Sequence, residues 1–185
     1  MPRRLFVALE LPKPVGWRLG QVLAQPPRGV RPVRPAQMHL TLHFLGDVAD
    51  ATHVALPGAL ARVAFEPFAV EIRRTGVFPP RGRPSVLWAG IADSAPLVAL
   101  HAAVGTALAS CGLEIETRPF VPHVTLARLT PAAPRAWTSR FLAHPAGHAI
   151  DAIPAERFIL YDSHRRDGAT EHAVEATFAS RLARP

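Results

Sequence analysis

Met38-His39-Leu40-Thr41-Leu42-His43-Phe44 and Pro122-His123-Val124-Thr125-Leu126-Ala127-Arg128 are two stretches of one 185-residue chain that read alike. Each carries a His-x-Thr-x pattern inside an alternating apolar run, and the two histidines stand 84 positions apart. Alternation with a period of two predicts a half-buried strand. On a strand, successive side chains face opposite ways. His39 and Thr41 therefore share one face, and Leu40 and Leu42 the other. His123 and Thr125 share a face in the same manner, with Val124 and Leu126 behind them. By the same rule Phe44 continues the core face, and Arg128 falls opposite His123. An imidazole beside a hydroxyl on a rigid strand, presented twice, suits acid–base chemistry on an anionic group.

The bare pattern is weak. With nine His and ten Thr in the chain, chance alone puts a His-x-Thr in roughly half of such sequences. The flanks carry the argument instead. Both copies follow a proline-containing segment, Arg34-Pro35-Ala36-Gln37 and Arg118-Pro119-Phe120-Val121-Pro122. Both place Leu or Val between His and Thr.

With these residues in view, the chain resembles the two-histidine (2H) phosphoesterase superfamily. Within it, the chain is most similar to the RNA 2',3'-cyclic phosphodiesterases, also called 2'-5' RNA ligases. Arg4-Leu5-Phe6-Val7-Ala8-Leu9-Glu10-Leu11-Pro12 resembles the family's first strand. His39 to Gly46 resembles its first motif, Arg118 to Arg128 its second, and Phe158-Ile159-Leu160-Tyr161-Asp162-Ser163 a late strand. One departure lies near the C-terminus: where the family usually has a glycine and then an aromatic, Gly168 is followed by Ala169-Thr170-Glu171-His172.

The resemblance implies an α+β fold of two lobes related by a pseudo-twofold axis. Each lobe is an antiparallel sheet with helices outside, and a central cleft carries the two His-x-Thr-x motifs. A single domain then spans 1–185, with one motif strand per lobe, at 38–45 and 121–129. The implied activity is that of a metal-independent RNA 2',3'-cyclic 3'-phosphodiesterase, with reversible 2'-5' ligation when a 5'-hydroxyl end joins to the cyclic phosphate. By the family's assignment His39 is the proton donor and His123 the proton acceptor; the residues alone leave the two roles exchangeable. Thr41 and Thr125 supply donors to the phosphoryl oxygens. Arg118 and Arg128 are candidates for phosphate contact, Phe120 for stacking on a base, and Tyr161 and Ser163 for lining the cleft.

Composition bounds the partners. The chain is 49% hydrophobic, enough for a globular core. Its single Cys111 rules out an internal disulfide and favours a reducing compartment. No apolar run reaches the ~20 residues of a membrane span, and no segment at the start fits a signal peptide, so the expected location is the cytoplasm. A net charge of +7, from twenty arginines and Lys13, suits a polyanion. The charge supports the partner that the resemblance implies, RNA with 2',3'-cyclic phosphate ends, transfer-RNA fragments among them. The chain is expected to act as a monomer, with no cofactor, metal or membrane.

The coarse element reading is as follows. Strands are predicted at 4–11, 38–45, 68–76, 86–92, 121–129, 149–153, 158–163 and 172–178. Helices are predicted at 14–24, 50–64, 96–110 and 134–143, the second kinked or split by Pro57-Gly58. Arg28 to Arg34 reads as a loop rich in Pro and Arg, and Pro79 to Pro84 as a basic loop.

Other chemistries fit less well. His39 and His43 are ~13 Å apart on a strand and cannot share one ion. His144 with His148, and His164 with His172, lack the Cys and carboxylate context of zinc sites. Nothing near Cys111 supplies it with a base. No glycine-rich phosphate loop is present, so an ATP-dependent ligase is not supported. The remaining alternatives are a non-catalytic RNA-binding module of the same fold, and a 2H phosphodiesterase for another cyclic phosphate or a 2'-5' oligonucleotide.

Overall fold

The computed structural model describes residues 3–23, 25–143, 149–166 and 169–181. His144, His148 and Gly168 lie outside these. Along the chain run β1 (Arg3–Glu10), α1 (Lys13–Gln21), β2 (Val30–Pro32), a 3-10 turn (Pro35–Gln37), β3 (His39–Val48), α2 (Asp50–Leu60) and β4 (Phe68–Phe78). Then follow β5 (Val86–Ile91), α3 (Ala95–Ala109), β6 (His123–Leu129), α4 (Arg135–Leu142), β7 (Ile150–Ala155), β8 (Arg157–Arg166) and β9 (Ala169–Ala179).

Two expected elements need correction. The segment 28–34, expected as a loop, contains β2, because Val30 has a core to enter: it pairs with Leu129 of β6 and is buried with it. The helix at 50–64 is neither split nor as long as expected. It runs through Pro57 and stops at Leu60, with Leu56, Ala59 and Leu60 buried. Burial of that face offsets the one backbone hydrogen bond a proline removes.

The strands form one antiparallel sheet in the order β7-β4-β5-β6-β3-β1-β8-β9, with β2 added on β6 beside β3. This path has a mirror in it. β3 and β6 meet at the centre. Each is flanked outward by the strand that precedes it across a helix, β1 before α1 and β5 before α3, and then by a further antiparallel strand (β8 or β4) and an edge strand (β9 or β7). The motif strands are thus the two middle strands, held on both sides, which is the most rigid place a sheet offers.

Behind them lies the core. Leu40, Val124 and Leu126 have no exposed surface and Leu42 has 4%. Burial of each such side chain is worth about 1.5–3 kcal/mol. That gain fixes which face the histidines take, because a one-residue slip would turn every apolar side chain outward.

Both strands then break the alternation at the same point. Val7 pairs with His43 and Ala8 with Thr41, so Leu42 is an extra residue in β3. Leu87 pairs with Ala127 and Trp88 with Thr125, so Leu126 is an extra residue in β6. Each is a β-bulge three positions after the motif histidine. Bulges re-aim the side chains that follow them. Phe44, expected in the core, is accordingly 69% exposed, while His43 is turned inward at 7%.

Candidate active site

Leu40 of β3 pairs with Val124 of β6, and both side chains enter the core. In an antiparallel ladder the flanking residues on the other face are then fixed. His39 lies across from Thr125, and Thr41 across from His123. The four side chains stand at the corners of a quadrilateral with the imidazoles on a diagonal. Diagonal positions on a paired ladder are separated by about 7–8 Å. A phosphorus with its oxygens fits in a gap of that scale.

Each imidazole is tied down in the same way. His39 Nδ1–H donates to the Gln37 carbonyl at 2.8 Å, and His123 Nδ1–H donates to the Val121 carbonyl at 2.7 Å. A carbonyl only accepts, so Nδ1 must carry the hydrogen in both rings. The proton-transferring atom left to each ring is Nε2. The local chain explains the geometry. The Pro35–Gln37 turn is closed by Gln37 N–H to the Arg34 carbonyl at 2.8 Å and by Met38 N–H to the Pro35 carbonyl at 3.2 Å, which fixes the peptide that carries the Gln37 carbonyl. On the other side, Ile91 N–H holds the Pro122 carbonyl at 3.0 Å at the entry of β6.

Aromatic side chains wall both imidazoles. The His39 ring lies 4.7 Å from Phe6, 5.3 Å from His172 and 6.2 Å from Tyr161. The His123 ring lies 4.9 Å from Phe78 and 6.0 Å from Trp88. Burial is the main consequence. It pushes His39 down to about 4, with the His172, His123 and Arg128 charges adding to the effect and the Gln37 carbonyl opposing it. Burial also lowers His123, helped by Arg128 and opposed by the Val121 carbonyl. With no anion between them, both rings are neutral at pH 7.

The cleft beside the motifs encloses about 710 Å3. Of the residues singled out by sequence, Thr41, His123, Thr125, Arg118, Arg128 and Phe120 line it. Arg128 reaches it because of the bulge at Leu126; strict alternation would have sent it to the other face. Arg118 is exposed, and its guanidinium donates to the Glu116 carboxylate. Phe120 has one ring face covered by His101 at 3.9 Å, and His101 in turn stacks on His43 at 4.1 Å. The far end of that stack is anchored by His43 Nε2–H, which donates to the His101 carbonyl at 2.8 Å. Tyr161 stacks on Phe6 at 5.0 Å beside His39, and burial pushes its phenol up to about 12. His39, Tyr161 and Ser163 are not among the residues that line this cleft. Ser163 pairs with His172 across β8 and β9 and lines a different groove with Arg3, Arg4, Asp47 and His53.

Several neighbours of the histidines were not legible in the sequence. Phe6 sits in Leu5-Phe6-Val7-Ala8-Leu9, an apolar run whose faces cannot be told apart by periodicity. Trp88 was signalled only by Gly76, its partner across β4 and β5: a Cβ on Gly76 would lie 2.1 Å from the indole. A glycine inside a strand marks this kind of close approach. His172 occupies the departure noted near the C-terminus. Buried without a hydrogen-bond partner among the described residues are Trp88 Nε1, His172 Nδ1 and Thr75 Oγ1. The first two belong to rings packed on the motif histidines, and polar atoms left unpaired in this way gather at functional sites.

Comparison with known proteins agrees with this geometry. The family model of the 2'-5' RNA ligase superfamily matches residues 19–154. An RNA 2',3'-cyclic phosphodiesterase of Thermus thermophilus is 39% identical over 143 residues, 71% of this chain and 71% of that protein. One from Aeropyrum pernix is 35% identical over 113 residues, 60% of this chain, and the match spans 64% of that relative's length. The crystal structure of Escherichia coli LigT complexed with 3'-AMP superposes with a TM-score of 0.79 at 26% identity, covering 98% of this chain and 100% of that one. On the extent of the family match and the shared fold, the chain belongs to the 2'-5' RNA ligase superfamily.

Proposed function

We propose that this protein hydrolyses RNA 2',3'-cyclic phosphodiester ends to 2'-phosphomonoesters by acid–base catalysis between two histidines. The observation that carries this reading is the matched anchoring of His39 and His123, each with Nδ1–H on a carbonyl and Nε2 left free. In the forward reaction His123 Nε2 takes a proton from water as the water oxygen bonds to phosphorus. The bond from phosphorus to the ribose 3' oxygen breaks, and His39 Nε2–H gives its proton to that oxygen. Thr41 and Thr125 donate to the phosphoryl oxygens as charge collects there. With an RNA 5'-hydroxyl in place of water, the same transfers join a 2'-5' linkage.

The acid must carry a proton that its free-state pKa denies it at neutral pH. The substrate supplies the remedy. An anionic phosphate beside an imidazole favours the charged ring, so the site charges His39 as the cyclic ester binds. No step calls on a metal. Arg128 adds a fixed cation toward the phosphate, and exposed Phe44 offers a free ring face for a base, a role Phe120 is less able to fill with His101 stacked on it.

The mirrored strand path supports a single domain of two lobes, one centred on each motif strand. One chain supplies all four motif side chains, which is consistent with action as a monomer. Among the described residues no helix is long and apolar enough to cross a membrane; a cytoplasmic location and transfer-RNA fragments as the RNA ends belong to the same reading.

The test is turnover of a nucleoside 2',3'-cyclic phosphate with EDTA present, read by phosphorus NMR. The expected product is the 2'-phosphate alone. An absence of turnover, or a 3'-phosphate product, would overturn the reading.

A further inference from the structure

β2 is three residues long, yet it is held firmly. Val33 N–H donates to the Leu126 carbonyl at 2.8 Å and Thr130 N–H to the Gly29 carbonyl at 2.8 Å. Gly29 has φ +88 and lies so close to the chain ahead of α4 that a Cβ would come within 2.4 Å of the Ala133 nitrogen. Between these ties, Val30 enters the core and Arg31 takes the opposite face.

Arg31 pairs directly with Arg128. Residues directly opposite in an antiparallel ladder share a face, with Cβ atoms about 4.5–5.5 Å apart, and like charges placed so are destabilising. Among the described residues neither guanidinium has an ion pair or a side-chain hydrogen bond to relieve the repulsion. The fold therefore presents two uncompensated cations side by side at one end of the cleft that Arg128 lines. A local rule broken without an internal gain points to function.

The two cations are not equivalent. The charge of Arg128 acts on both His39 and His123, whereas that of Arg31 is not among the causes acting on either. Arg31 thus stands outside the reacting centre, and Arg128 bridges the two regions. A 2',3'-cyclic end is the 3' terminus of its RNA, so the chain continues on the 5' side, where the next phosphodiester lies.

We propose that Arg31, paired with Arg128, binds a phosphodiester of the RNA chain beyond the reacting end, so that the cleft is built for polynucleotide rather than mononucleotide ends. Arginine forks match phosphate oxygens, and an anion seated between the two guanidinia turns their repulsion into binding. This inference rests on the proposed function and adds the substrate's length to it.

The test compares kcat/KM for a short RNA oligonucleotide ending in a 2',3'-cyclic phosphate with that for a nucleoside 2',3'-cyclic phosphate. Arg31→Ala is expected to lower the preference for the oligonucleotide about tenfold, and to reduce the salt dependence of oligonucleotide turnover by about one ion. Arg31→Lys, which keeps a point charge, is expected to retain most of the preference. An equal loss on both substrates, or an unchanged preference and salt slope, overturns the inference while leaving the proposed function standing. Wild-type protein that turns over neither substrate overturns the proposed function and this inference together.

Discussion

Phe44 and Arg128 occupy the same position in the two halves of the sheet. Each stands five residues after its motif histidine, and each is turned toward the cleft by a one-residue bulge at the same point of its strand. The burial sequence from histidine onward is the same through that position in β3 and β6. The backbone is thus duplicated while the chemistry is not: one half ends in an aromatic ring, the other in a cation. A nucleotide has the same two parts, a base to stack and a phosphate to neutralise, and under the proposed function the asymmetry is expected to set one orientation between otherwise matched histidines.

Removing the ring at position 44 should therefore weaken substrate binding without harming the fold. Base–aromatic stacking is worth about 1–3 kcal/mol per base, while a substitution at a 69% exposed position falls within about 0.5 kcal/mol in stability. Phe44→Ala is expected to raise KM for a nucleoside 2',3'-cyclic phosphate about tenfold with kcat and Tm little changed. A fall in Tm with KM unaltered would assign Phe44 to the fold instead.

The dependence on pH follows from burial of the two rings. The proposed mechanism needs His39 protonated and His123 neutral, and in the free protein both pKa values lie below 6.5, that of His39 at about 4. kcat/KM reports the free enzyme and kcat the complex. A bell in kcat/KM with its maximum below pH 6.5 is expected, and the kcat maximum should lie at higher pH, since bound phosphate raises both rings. A rate level from pH 5 to pH 9 contradicts this.

His172 enters that profile through its contact with His39. The groups facing the His39 ring are the Gln37 carbonyl, His172 from β9, Phe6 from β1, Tyr161 from β8, and His123 and Arg128 from β6. Of these, His172 exerts the largest charge effect, and it lowers the His39 pKa. His172→Phe keeps a ring against Phe6 and removes that charge. The kcat/KM maximum is expected to move to higher pH; an unmoved maximum with a lower rate would mean His172 only fills space.

Gly76 is expected to be intolerant of any side chain. A Cβ there would meet the Trp88 indole at 2.1 Å, and the indole cannot retreat without pressing on His123 and Phe78. Overpacking of this kind costs about 1–3 kcal/mol. Gly76→Ala should lower Tm by several degrees, and should lower kcat more than the same change at Gly58, where a Cβ meets nothing within 4 Å.

The two motifs, the order of most elements and the faces of His39, Thr41, His123 and Thr125 were readable because alternation is strict up to Leu42 and Leu126. It fails there because a bulge is set by pairing with β1 and β5, strands far away in sequence, and no residue type announces it. That single fact hid the exposure of Phe44 and the turn of Arg128 toward the cleft. β2 was hidden for a related reason. Three residues carry no period, and Val30-Arg31-Pro32 becomes a strand only because the edge of β6 is free where β3 ends its pairing. That Glu116 folds onto Arg118 was likewise beyond a sequence reading, though Arg118 stays exposed and in the cleft lining.

The account stands on His39 and His123 acting as one unit on one phosphorus. A double-mutant cycle on nucleoside 2',3'-cyclic phosphate turnover, with EDTA present, tests this most directly. Each of His39→Ala and His123→Ala is expected to lower kcat about 10²–10⁴-fold, and the double variant is expected to be scarcely slower than the worse single, as for groups that work in concert. A single variant with near wild-type kcat, or losses that multiply in the double variant, would contradict the account.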